Sequence, residues 1–198
     1  SHEPQVVMTF PNSLTQDSPM RRSLFAATLL ASLCLPTVGV AQGGADLLRR
    51  MADGPEVTAP TFPAPTDLSY KVSWAVTAGP TDPAELVAGF PRPAGFLRQM
   101  DQQGVPRKNV KLAIIVHGTA TRSLLNNAAY KSATGKDNAS IALLEALNEA
   151  GVQIIVCGQA LINRNVPRAE LLPFVKVATS ATAARAILAA QGYATWSE

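Results

Sequence analysis

The sequence predicts an α/β domain built on a parallel sheet with helices on both faces. Two observations carry this. From about residue 68 to the end, segments with strand character alternate with segments of helical periodicity. Such alternation is the pattern of parallel strands joined by crossover helices. In addition, residues 112–116 (LAIIV) and 152–156 (VQIIV) read as nearly continuous apolar runs. Strands at the centre of a parallel sheet are dry on both faces and read in that way.

The elements follow in order. YKVSWAV, 70–76, alternates Tyr70, Val72, Trp74 and Val76 with Lys71 and Ser73, as a half-exposed strand does. TDPAELVAGF, 81–90, has Asp82 as a cap and Pro83 at the first helical position, which predicts a helix. Pro91 and Pro93 break it, and it resumes over 96–103 before Gly104. The strand 112–116 follows. A helix is then expected through Leu124, Leu125, Ala128 and Ala129, stopped by Gly135. DNASIALLEALNEAG, 137–151, is the clearest helix, capped by Asp137 or Asn138, striped by Ile141, Leu144 and Leu147, and ended by Gly151. After the strand 152–156, GQALINR reads as a short helix or turn, and PRAELL as another behind Pro167. VKVA is a short strand. SATAARAILAAQG is a last helix, capped by Ser180 or Thr182, and YATW a final edge strand.

Upstream, the composition changes. Met20, Arg21 and Arg22 precede the apolar run Leu24–Leu35, and small residues close it at Gly39 and Ala41. A basic start, an apolar middle and a small-residue exit form an export signal. The apolar run is shorter than the ~20 residues of a spanning helix. Residues 20–41 are therefore expected to be a signal peptide cleaved near Ala41, with 1–19 as an upstream extension outside the fold. The expected location is the periplasm, with no membrane attachment after cleavage. Residues 42–67 hold Pro55, Pro60, Pro63 and Pro65 and read as a short helical piece at 46–52 and then an extended linker. The folded domain is placed at 68–198.

Removing residues 1–41 takes away Arg21, Arg22, Glu3 and Asp17, so the net charge stays at +3. The positive residues are scattered, which argues against a nucleic-acid groove. Cleavage also removes Cys34 and leaves Cys157 as the one cysteine. Exported proteins usually pair their structural cysteines. A lone one is buried and inert, paired between chains, or chemically used.

Both central strands end in a residue with chemistry followed at once by glycine: His117-Gly118 and Cys157-Gly158. Ligands of open parallel sheets bind outside the carboxyl ends of the strands. If the two strands are neighbours, about 5 Å apart, imidazole and thiol share that edge. Cys157 also precedes the helix start at Gly158 and Gln159. A helix N-terminus lowers a thiol pKa, and the thiolate is the nucleophile. The bland alternatives stay open: Cys157 as a small apolar plug, His117 as a partner for a backbone carbonyl, and both glycines as plain turns. IIVHG looks like the oxyanion strand of α/β-hydrolases, but no G-x-S-x-G elbow and no histidine after His117 follow. ATGKDN lacks the residues of a phosphate loop, and His117 with Cys157 are too few ligands for a structural zinc.

VKLAIIVHGTATRSLL, GKDNASIALLEALNEAGVQIIVCGQAL and PRAELLPFVKVATSATAARAILAAQGYATW together resemble the DsrE/DsrF-like family in its exported branch, over about residues 70–198. The resemblance implies a three-layer α/β sandwich on a mostly parallel sheet of about five strands, assembled as a homo-oligomer. It also implies a sulfur carrier in which Cys157 holds a persulfide and passes sulfur to a partner thiol or takes it from a small sulfur anion. His117 would tune or protonate the thiol, and Gly118, Gly158 and Gln159 would border the bound anion. No metal and no organic cofactor are called for. The alternative is a non-catalytic periplasmic binding or assembly subunit with Cys157 as packing.

Overall fold

A computed structural model describes residues 38–52 and 54–196. The extension 1–19 and most of the expected export signal lie outside the described residues. The chain enters with helix α1, Val38–Met51, which takes in the expected cleavage point as well as the helical piece expected at 46–52. An irregular stretch follows, as its prolines dictate.

The strands are β1 Tyr70–Val76, β2 Val110–Val116, β3 Gln153–Cys157, β4 Lys176–Ala178 and β5 Ala194–Trp196. They form one five-stranded, all-parallel sheet in the order β4-β3-β2-β1-β5. The two apolar runs are therefore neighbours, with β2 at the centre. Between the strands lie α2 Arg92–Gln102, α3 Asn127–Thr134, α4 Ile141–Glu149, α5 Gly158–Asn163 and α6 Ala181–Ala190.

Strand alternation divides the core. Leu112, Ile114 and Val116 of β2, with Ile154 and Val156 of β3, face Leu97 and Met100 of α2, Leu143, Leu144 and Leu147 of α4, and Leu161 of α5. Ala113, Ile115 and Ile155 face the other way, onto Ala184 and Leu188 of α6. Each fully buried Leu or Ile contributes about 1.5–3 kcal/mol relative to exposure, so the first face holds most of the apolar stabilisation. Helix α1 packs outside it, against α4 and α2.

Three expectations need correction. Residues 81–90 form turns and no helix. Asp82 does accept the Ala84 N–H at 2.9 Å, but the backbone closes only as separate turns, the Glu85 N–H on the Asp82 carbonyl and the Phe90 N–H on the Val87 carbonyl. Val87 and Phe90 from this turn are nonetheless fully buried. The helix starts at Arg92 instead, with Pro93 inside its first turn, where no N–H is missed. The helix expected from the end of β2 is split into a 3-10 turn, Gly118–Leu124, and α3, whose Asn126 cap accepts the Ala129 N–H. Finally, α4 begins only after Ser140, and neither Asp137 nor Asn138 caps it. Buried Asn138 instead donates to the carbonyls of Ser123 and Leu125 and accepts from Ser140, pinning this loop to the one before it.

Candidate functional site

Register places the pair. Val116 of β2 lies opposite Val156 of β3, so His117 and Cys157 are the next positions along on adjacent strands. Adjacent strands are about 4.7–4.9 Å apart. Both residues keep extended backbone, His117 at φ −149° and ψ −169°, Cys157 at φ −70° and ψ 115°. The His117 N–H still donates to the Val76 carbonyl at 3.0 Å, so the ladder with β1 continues to this point. By alternation the two residues belong to the face occupied by α6, the face of Ile115 and Ile155.

The contacts of the ring agree with that placement. Arg185, on α6, sets its Nη2 at 3.3 Å from His117 Nε2. Thr77, just past β1, holds its Oγ1 at 3.4 Å from the same nitrogen. A guanidinium only donates, so Nε2 is the acceptor in the Arg185 contact. The Arg185 Nε is buried without a hydrogen-bond partner among the described residues. The sequence reading passed over Arg185, although a signal was there: it is the one charged residue in the helix ATAARAILAA.

Cys157 is a free cysteine and only 6% exposed. It forms the boundary between β3 and α5, with no capping bond from its side chain. Gln159 is exposed on the first turn of α5.

Both flanking glycines have a structural duty. A Cβ on Gly158 would stand 2.7 Å from the Ala178 carbonyl oxygen of β4. On Gly118, at φ +62°, it would stand 2.5 Å from the carbonyl oxygen of Thr77. The close approach that these glycines allow is to the ends of neighbouring strands.

Two hollows lie away from the pair. A groove of about 640 Å³ runs between β1, β5 and α2, walled by Tyr70, Trp74, Phe96 and Trp196. Trp74 and Phe96 meet edge to face at 5.9 Å. A smaller hollow of about 350 Å³ opens beside Arg122 and Arg164. His117 and Cys157 line neither. Among the described residues no helix is long and apolar enough to cross a membrane, and no group of three or more His, Cys, Asp or Glu converges as a metal site.

A sequence model of the DsrE/DsrF-like family matches residues 74–195. No curated protein sequence matches the chain. Among solved structures, a protein of unknown function from Methanobacterium thermoautotrophicum is similar, with 13% identity and a TM-score of 0.45 over 66% of this chain and 100% of its own.

Proposed function

The chain belongs to the DsrE/DsrF-like family, and we propose that it is an exported, homo-oligomeric sulfur carrier working through a persulfide on Cys157. The observation that supports this most is the in-register placement of His117 and Cys157 at the carboxyl edge of the sheet. This is the edge at which parallel α/β sheets bind their ligands.

In the first step the Cys157 thiolate attacks the sulfane sulfur of a donor R–S–SH. The donor S–S bond breaks, RS⁻ leaves with the electron pair, and Cys157–S–SH forms. In the second step a partner thiolate attacks the outer sulfur and the Cys157 thiolate departs. With thiosulfate as donor, sulfite is the leaving group. His117 is the proton carrier beside the sulfur, and Arg185 holds its ring. The buried Nε of Arg185 is a donor that an incoming sulfur anion would satisfy. Gly118, Gly158 and Gln159 border the anion through their backbone. The periplasm is the proposed location.

The test is intact mass after incubation with polysulfide or thiosulfate. Wild type gains one sulfur, about 32 Da, as a persulfide. Cys157→Ser gains none. A gain that survives in Cys157→Ser, or its absence from wild type, removes this reading. A second reading, a non-catalytic binding or assembly subunit, is favoured by the low exposure of Cys157. It predicts no sulfur gain under any donor.

A further inference from the structure

The hollow beside Arg122 and Arg164 is lined by neither His117 nor Cys157. It lies where three connections meet at the carboxyl side of the sheet. Gly79 and Pro80 come from the segment after β1. Arg122 and Ser123 come from the 3-10 turn after β2. Arg164 closes α5, after β3. Its volume of about 350 Å³ falls within the roughly 300–1,000 Å³ of small-molecule sites.

Its charge is one-sided. No acidic residue lines it, and both arginine side chains lack a hydrogen-bond or ion-pair partner among the described residues. Asp82, whose charge reaches Tyr130, has its Oδ1 already accepting the Ala84 N–H. Tyr130 reports this field. Burial pushes its phenol above the ordinary range, the hydrogen bond from Ser123 and the charge of Arg122 pull it back, and Asp82 pushes it up again. The Tyr130 hydroxyl donates to the Pro83 carbonyl at 2.8 Å, which fixes the wall. Two arginines line one hollow, and the planar guanidinium is the group whose fork of donors matches an oxoanion.

We propose that this hollow binds a small molecule with a tetrahedral oxoanion head, clasped between Arg122 and Arg164. A hollow of this size also takes an organic group attached to the head. The proposal does not rest on sulfur transfer at Cys157.

The test is calorimetric titration of the full chain with inorganic phosphate and with phenyl phosphate at fixed ionic strength. Wild type binds at least one probe saturably. Arg122→Gln and Arg164→Gln each weaken that binding about tenfold or more, as loss of a charge-assisted clasp requires. Lys108→Gln, which removes an exposed positive charge outside the lining, binds as wild type does, so the loss belongs to the two arginines and not to net charge. Tighter binding of phenyl phosphate assigns the site to an organic ester, and equal binding to the free anion. Absence of saturable binding to wild type, or binding that withstands both Arg122→Gln and Arg164→Gln, overturns the proposal. Circular dichroism of each variant guards against misfolding, and Arg164→Lys gives a second arm that keeps the charge but loses the fork.

Discussion

Gly158 is a position where a single methyl group would be costly. Its Cβ would press on the Ala178 carbonyl at 2.7 Å, and β3 and β4 would have to part to admit it. Forcing extra atoms into well-packed structure costs about 1–3 kcal/mol. Gly158→Ala is therefore expected to lower the urea-unfolding stability by that amount, and an unchanged midpoint would show that the β3 and β4 ends part freely. Gly118 adds a left-handed φ to the same kind of contact. Glycine beside His117 and beside Cys157 was legible in the sequence. That each glycine answers to a neighbouring carbonyl was not, because the contact joins residues about 20 or 40 positions apart. Arg185 is a similar case. One arginine in an alanine-rich helix stands out in the sequence, but its partner His117 lies at the end of β2, 68 positions away.

At the scale of elements, the helix starts show which local signals prevail. Of the two caps that the sequence offers for α6, Ser180 and Thr182, it is Ser180 that accepts the Ala183 N–H, at 3.0 Å. The signal at Asp82 and Pro83 is equally good on paper, yet this segment closes as turns that bury Val87 and Phe90 in the core. Between α3 and α4, Asp137 is not a cap. It accepts from Asn127 at 2.9 Å and from Lys131 at 3.1 Å, and these two hold its carboxyl below the ordinary aspartate range. A carboxyl lowered on folding stabilises above its unfolded pKa, about 3.9, and that contribution fades as pH falls through the lower folded value. Asp137→Asn should thus shift the urea midpoint at pH 7 and leave it nearly unchanged at pH 2. Equal shifts at both would place the effect in packing.

For the whole molecule, the asymmetry of the two sheet faces matters most. One face carries α2, α4 and α5, with α1 outside them, and the other carries α6 alone among the described helices. Leu188 and Ala184 are the buried residues by which α6 holds this face. Leu188→Ala should cost about 2–5 kcal/mol, and it should also loosen the Arg185 hold on His117. Thiol labelling reads this directly. Under the carrier reading, native Cys157 reacts faster than the protein unfolds, and Leu188→Ala reacts faster still. Labelling that waits for global unfolding in both would make Cys157 a packing residue.

The sequence by itself determined the α/β class, the two inner strands, the closing helix and its edge strand. It also brought His117 and Cys157 to strand ends, because hydrophobic period and breaker residues are local properties. Only the tertiary structure decided that these ends lie in register and that α6 delivers Arg185 to His117. It alone decided that Arg122 and Arg164 share one hollow. Those are contacts between distant segments, set by strand order and by the packing of each face, and no local pattern along the chain encodes them.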